Sequence, residues 1–511
     1  MRMLTLSILN TGIVRRAITI ALVVFLALYN LTSFPVTWFD EGSHLHVPKT
    51  LLRFGEYADR SSEGFRYYGP TIGVGPTVML PIAGAFKFFG IGLLQARLVM
   101  AVYLLATVVL FYRLAHKVGG PGQAWVATAL LVSSRGVALL EYGRQVLGEV
   151  PGLFFITSGL VVWFTAWERA SWRRLTLVGL LLGLAVITKT QNFIILAPML
   201  ALGWLTNLLY YRMTPQRVFL VPGILTSVCF VLWQVYVIVY LGPGVVSENL
   251  ALYRAATASA ATVFSPHLMK RAINELLSLK VYLGWLVPAL VYGIVLAQPR
   301  RREGQQWGLL LILAGVNLVW YVVASVSWIR YAFPALAIAS LFVARIFHDL
   351  TGGYQFDLNI LRRGIEALQE HGLRLAMLAM LLAMIAIPLG QTILDIVSPE
   401  LNAPAGMASY MNEHVPLNSL VETWEPEMGF LTDHNYHYPP QGLLYQAVSY
   451  IWLDKTPPAE SYHFVETELP EYVLVGSFAR WVALYSPDIL AQRYELVTTI
   501  GGYELYKLRT N

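Results

Sequence analysis

Two adjacent carboxylates, Asp40 and Glu41, stand in the stretch "TWFDEGSH" directly after an apolar run, where a chain leaving a membrane meets water. Neighbouring carboxylates raise one another's pKa, so one of such a pair can be poised as a general base while the other orients it or takes a ligand. A solvated pair that merely ends a helix is the plainer reading of the same residues. Cations recur at comparable depth. Arg144 and Glu149 share the turn "EYGRQVLGEVPG", Arg97 opens the apolar run "LLQARLVMAVYLL", and Arg330 lies in "SVSWIRYAFPAL". Lys189 sits between "LVGLLLGLAVIT" and "FIILAPMLAL". Ionisable groups at membrane depth are costly and mark function, although interfacial pairing and snorkelling also place them there. Together the set suits one chemistry: carboxylates accept a proton from an incoming hydroxyl, and cations hold a phosphate and stabilise the charge it gains on leaving.

Other catalytic signatures are missing. The sequence has no Gly-rich phosphate loop followed by Lys-Ser/Thr, no HExxH and no GxSxG elbow. "HLH" (44–46) and "DHNYHY" (433–438) carry histidines, but two histidines at i, i+2 are far from a complete metal site. No metal ligand is assigned and no cofactor is certain, with a divalent cation left open.

The elements that must position these residues follow from composition. Of 511 residues, 56% are hydrophobic and only 13% are charged, against roughly a quarter charged in soluble chains. Eleven apolar segments of about the length needed to cross a bilayer fall near 17–36, 92–112, 122–140, 150–167, 175–188, 192–211, 218–241, 279–298, 307–326, 330–348 and 373–393. No small-x-small cleavage site follows the first, so it reads as an anchor. Alternate connections are basic, among them Arg15/Arg16, Arg113/Lys117, Arg173/Arg174 and Arg300–Arg302, which places them in the cytoplasm and the N-terminus with them. An odd number of spans then puts the tail outside, on the face that also receives Asp40, Arg144, Lys189 and Arg330.

The expected organisation is a polytopic α-helical membrane domain over 1–393, with outer loops at about 37–75 and 242–278, and a small soluble α/β domain over 394–511. The segment "HLMKRAINELL" reads as a helix lying along the interface. In the tail, "GMASYMNEHV" reads as a helix, "EYVLVGSF" as a strand, and "YELVTTIGGYELYKL" as a hairpin turning at Gly501-Gly502. From Asp395 onward the chain holds 15 of the 30 acidic residues and 5 of the 36 Lys and Arg, which argues against a nucleic-acid partner. The single cysteine, Cys229, excludes an intramolecular disulfide.

These motifs, in this order, resemble the GT-C superfamily of polyprenyl-phosphate-sugar-dependent glycosyltransferases, nearest its protein O-mannosyltransferase and lipid A aminoarabinose transferase branch. "FDEGSHLHVPKTLLRFGEYA" resembles that family's first outer loop. "QARLVMAVY" resembles its second-span start, "YGRQVLGEVPGLFF" its third-to-fourth-span hairpin, "GLAVITKTQNF" its fifth-span end and "RYAFPALAIAS" its late Arg-Tyr-x-x-Pro span. Many relatives carry a Lys-Pro-Pro-Leu element where this chain has "GVGPTVMLP". Without that lysine, phosphate binding rests on Arg144, Lys189, Arg330 or Arg97.

The resemblance implies an inverting transfer of a sugar from a polyprenyl-phosphate carrier to a lipid, glycan or protein acceptor at the outer face of the cytoplasmic membrane. Asp40 would be the base and Glu41 its orienting or acceptor-side partner. Glu149, His44, Tyr68 and Tyr331 are the candidates for contacting acceptor or sugar. A transporter or lipid flippase is the main alternative. It fits less well, because the chain shows no paired halves and its polar residues gather at one face rather than at mid-depth. A membrane-anchored scaffold is a second, and it leaves Lys189 and Arg144 unexplained.

Overall fold

A computed structural model describes residues 5–67, 73–167, 170–255, 262–354, 365–453 and 462–509. Most of the chain before residue 400 is helical: α1 (Thr5–Leu28), α2 (Phe39–Phe54), α3 (Pro76–Phe89), α4 (Leu93–Ser133), α5 (Leu139–Arg144), α6 (Glu149–Ala166) and α7 (Trp172–Thr188). There follow α8 (Gln191–Thr206), α9 (Arg217–Ala255), α10 (Pro266–Leu276), α11 (Leu286–Ala297), α12 (Arg302–Ala324), α13 (Phe333–Leu350) and α14 (Ile365–Val397). Among the described residues, seven helical segments are long and apolar enough to cross a membrane, and shorter apolar helices lie at Ala17–Leu28, Pro76–Phe89 and Leu286–Ala297.

Each of the eleven expected apolar segments coincides with helix, but boundaries differ where glycine and proline intervene. The second and third expected segments form one 41-residue helix broken at Gly120, whose φ of 79° precedes Pro121. Proline has no N–H to continue the ladder, and a positive φ is cheap only for glycine. In α9 the same device recurs at Gly242-Pro243, and the helix runs on to Ala255, into what was expected to be loop. Helix α3 was not expected: it falls between the first outer loop and the second apolar segment, and Pro76 occupies its first turn, where the missing N–H costs nothing.

Close helix contact uses small residues. A Cβ on Gly179 would lie 2.6 Å from Leu225 Cβ, and one on Gly183 would lie 2.5 Å from Cys229 Sγ. The Gly-x-x-x-Gly spacing thus seats α7 directly on α9, and the lone cysteine is a packing residue. The main core is apolar and continuous, with Trp163, Tyr321, Phe333 and Phe342 almost fully buried.

The C-terminal region carries a five-stranded mixed sheet. Its strands are β3 (Leu420–Thr423), β4 (Asn435–His437), β5 (Tyr472–Val475), β6 (Tyr494–Ile500) and β7 (Tyr503–Leu508), in the order β4-β3-β5-β7-β6. Strands β3, β4 and β5 run parallel, and β7 pairs antiparallel with both β5 and β6. The expected hairpin forms, with Ile500 opposite Tyr503 and Gly501 at φ 55°. The expected helix is α15 (Ala403–His414). A short hairpin of the first loop, β1 (Asp59–Ser61) with β2 (Gly64–Arg66), leans on β4 through Ser62 N–H donating to Tyr436 O at 2.7 Å.

Candidate active site

Helix α2 presents Asp40 and Glu41 in its first turn, where the helix dipole favours carboxylates, and it ends at Gly55 in the left-handed region (φ 79°). The two acids then diverge. Glu41 is fully buried. Its carboxylate takes both Arg97 Nε at 2.9 Å and Nη2 at 2.5 Å, and it also accepts from the Val146 N–H at 3.1 Å. Arg97 Nη1 donates to the Leu31 and Pro35 carbonyls, each at 2.8 Å. This bidentate pair ties α2 to α4 and to the turn before α6. Of the two roles expected of Glu41, this geometry suits the orienting one rather than the acceptor-side one, and the expected phosphate ligand Arg97 is instead engaged by Glu41 and two carbonyls.

Arg144, also expected at the phosphate, is engaged elsewhere. It is fully buried, and it donates from Nη1 to Leu26 O at 2.6 Å, from Nη2 to Tyr29 O at 2.6 Å and from Nε to Phe34 O at 2.9 Å. These carbonyls at and just beyond the end of α1 lack helical partners, so Arg144 is a cap for the first helix.

The remaining ionisable residues converge. Arg330, in the 3-10 turn Ile329–Ala332 before α13, sets Nη1 2.5 Å from Asp40 Oδ2 and Nε 3.9 Å from Glu149 Oε1. Glu149, in the first turn of α6, pairs with Lys189 at the C-terminal cap of α7. Asp40, Arg330, Glu149 and Lys189 therefore form a row of alternating charge drawn from four elements. Asp40 keeps a side-chain exposure of 21%, Lys189 of 12% and Arg330 of 11%, whereas Glu149 keeps 3%, so the carboxylate between the two cations is the most enclosed member of the row.

Aromatic side chains hold the row. The Arg330 guanidinium lies 3.8 Å from the Trp328 ring centre and 5.5 Å from that of Trp38. Lys189 Nζ is 5.5 Å from the ring centre of Tyr331. His44, one turn after Asp40, bonds through Nδ1 to Val146 O at 2.7 Å, and burial holds its imidazole below the ordinary pKa against the pull of Asp40. Its proton is on Nδ1, since a carbonyl only accepts. Tyr68 lies outside the described residues.

Beside Lys189 opens an apolar cavity of about 330 Å³, walled by Val74, Gly75, Ile187 and Thr190 and by Trp233 and Tyr236 of α9. Gly75 is required here: its N–H donates to Thr188 O at 2.9 Å, and a Cβ would fall 1.9 Å from Ile187 O. The cavity's aromatic wall was missed in the sequence, as were Trp38 and Trp328. The signal for the two tryptophans was present, since each stands two residues before its charged residue, in "WFD" and "WIR".

The C-terminal region meets this site directly. Helix α16 (Pro426–Leu431) packs so closely on α2 that a Cβ on Gly42 would sit 2.3 Å from Glu427 N. Phe39 stacks on Phe478 with ring centres 4.3 Å apart. The histidine motifs are occupied structurally: His46 Nδ1 pairs with Asp59 at 2.7 Å while Nε2 meets Pro426 O at 2.7 Å. Among the described residues, no group of three His, Cys, Asp or Glu is placed to hold a metal ion.

Residues 74–236 match the dolichyl-phosphate-mannose-protein mannosyltransferase family. An uncharacterized protein of Aquifex aeolicus is 28% identical over 168 residues, 33% of this chain, which thus spans 32% of that relative's length. Likeness to solved structures extends over nearly the whole chain. ArnT from Cupriavidus metallidurans bound to undecaprenyl phosphate has a TM-score of 0.67 at 13% identity, covering 97% of this chain and 98% of that one. The archaeal oligosaccharyltransferase AglB from Archaeoglobus fulgidus, in complex with an inhibitory peptide and a dolichol-phosphate, has a TM-score of 0.53 at 14% identity, covering 97% and 75%. At such identities the likeness carries the fold.

Proposed function

We propose that this chain, a member of the GT-C superfamily by fold, is an inverting glycosyltransferase that moves a sugar from a polyprenyl-phosphate carrier to an acceptor hydroxyl. The observation that carries this reading is the row Asp40–Arg330–Glu149–Lys189 together with an apolar cavity whose lining includes Ile187 and Thr190, on either side of Lys189 in the chain. A donor with a lipid chain and a phosphate needs an apolar channel ending in cations. Lys189 stands between cavity-lining Ile187 and Thr190, and Arg330 follows in the row. ArnT and AglB, of like fold, were solved with undecaprenyl phosphate and with a dolichol-phosphate.

The chemistry runs along the row. Asp40 takes the proton of the acceptor hydroxyl as its oxygen bonds to the anomeric carbon. The bond from that carbon to the phosphate oxygen breaks on the opposite side, and its electron pair stays on the phosphate. Charge develops on the sugar ring as in glycoside hydrolysis and on the departing phosphate, where Lys189 and Arg330 meet it. A phosphate leaves without acid help, so no second acid is needed. Glu149 holds both cations in place and offsets their charge when the site is empty. The Arg330–Asp40 pair does the same for the base, and a bound phosphate competes for Arg330 and frees the carboxylate.

The alternating basic connections support a multi-pass protein of the cytoplasmic membrane with this site and the C-terminal region on the extracytoplasmic side. The direct test is to incubate purified protein with a panel of polyprenyl-phosphate sugars and acceptors and to measure free polyprenyl phosphate. Release that depends on Asp40 supports the reading. Donors that bind without any release, with vectorial movement of lipid in vesicles, would replace it with a transporter.

A further inference from the structure

A second cleft, unlike the first in every chemical respect, lies between the far end of α2 and the C-terminal region. It encloses about 330 Å³. Its floor is polar and buried, formed by Lys49, Thr50, Ser61 and His434, and its rim carries exposed Arg53 and Arg60. Arg53 follows Asp40 by thirteen residues on one helix, about 20 Å along the axis at roughly 1.5 Å per residue. This is therefore not the donor site.

Charge and hydrogen bonding decide what fits. Lys49, Arg53 and Arg60 are three cations around the cleft, and Asp433 is the one carboxylate that lines it. Asp433 is already spent on two of them, accepting from Arg53 at 2.8 and 3.0 Å and pairing with Lys49 at 2.8 Å; these bonds, that to Arg53 foremost, keep its carboxyl well below the usual range. The guanidinium of Arg60 faces the Phe54 ring at 4.4 Å and stays at the rim. In the floor, His434 is 6% exposed; its Nε2 meets Val415 O at 3.0 Å, which puts the proton there and leaves Nδ1 as a lone pair with no hydrogen bond. An unpaired buried acceptor is costly and calls for a donor such as a hydroxyl. Excess positive charge on the rim calls for an anion.

We propose that this cleft is a second binding site, for a hydroxylated anion: a saccharide carrying a phosphate or a carboxylate. The inference goes beyond the transfer reaction and does not depend on it, because binding is read with no donor and no turnover. The probes are glucose 6-phosphate, glucuronate and uncharged glucose, titrated by calorimetry into the purified full-length protein in detergent. Saturable binding of either anion at one per chain, with none by glucose, is expected, and the tighter of the two identifies the anionic group. Arg60→Gln, at an exposed position, leaves folding intact and weakens that binding at least about fivefold, as loss of one charge-assisted contact does. Raising the salt concentration weakens it as well. The inference is overturned if neither anion saturates at millimolar concentration, if glucose binds equally, if Arg60→Gln binds like the parent, or if polyprenyl phosphate displaces the probe and so places it beside Lys189.

Discussion

Replacing Lys189 by methionine separates what the row of charges does for folding from what it does for the donor. Methionine keeps the apolar stem and deletes the ammonium. The partner left behind, Glu149, has a side-chain exposure of 3%, and the next cation, Arg330 Nε, is 3.9 Å away, beyond hydrogen-bond reach. Stranding one member of a buried pair costs about 3–5 kcal/mol, and Arg330 moderates this toward the lower figure. The variant should therefore melt earlier than the parent. If Lys189 also holds the donor phosphate, a charge-assisted hydrogen bond of about 1.5–3 kcal/mol is lost, which is about ten- to a hundredfold in affinity. The ammonium must loosen from Glu149 to reach a phosphate, so the lower end is expected. Adding Glu149→Gln to Lys189→Met removes the stranded charge: melting temperature should recover while donor affinity stays low. Glu149→Gln alone frees the ammonium and should bind donor at least as tightly as the parent. The assay is binding of polyprenyl phosphate to purified protein, alongside a thermal melt of each variant. If the double variant binds polyprenyl phosphate as tightly as the parent, Lys189 is no donor ligand, and the phosphate lysine that the family resemblance led one to expect at "GVGPTVMLP" has no substitute.

Asp40→Asn keeps shape but removes the proton acceptor, so turnover should fall by about two to four orders of magnitude while donor binding changes little; parental turnover in the folded variant would remove Asp40 from the mechanism. Arg97→Lys keeps the charge but cannot reproduce a two-pronged grip on Glu41 together with two carbonyl contacts, and should lower stability by about 1–3 kcal/mol, as buried acceptors left unpaired do, without changing donor affinity in the folded fraction, whereas a phosphate ligand would show the opposite pattern. Gly75→Ala drives a Cβ to 1.9 Å from Ile187 O, so the loop must leave α7 and the apolar cavity must open; unchanged polyprenyl phosphate affinity would show that this wall is not used. Glu427 supplies a pH test. Burial, then the neighbouring Glu425, hold its carboxyl well above the ordinary range. An acid with a raised folded pKa stabilises the fold fully below its unfolded value of about 4.3 and loses that contribution as pH rises toward the folded one, so Glu427→Gln should raise the melting temperature increasingly between about pH 5 and pH 8. A melting-temperature difference that stays flat across that range would mean Glu427 ionises freely.

Much was written in the chain itself. Apolar length and the spacing of basic residues are local properties of the bilayer problem, so the helical segments, the place of Asp40 just beyond the first of them and the Gly501-Gly502 hairpin were legible residue by residue. So was the short list of ionisable residues, because apolar sequence makes each one conspicuous. Their division of labour was not. Arg97, Arg144, Lys189 and Arg330 look alike in sequence, each a cation at the edge of an apolar run. Only the fold sets Arg144 under the open carbonyls ending α1 and locks Arg97 onto Glu41, while Arg330 and Lys189 meet around Glu149. Whether a cation caps, clamps or binds depends on which groups lose water beside it, and those groups come from positions as far apart as Asp40 and Arg330. The same holds for Gly42 and Glu427, nearly four hundred residues apart, where absence of a single Cβ lets the C-terminal region close on α2. Sequence spacing carries the periodicity of an element. Contact between elements is settled by packing, and packing chose the site.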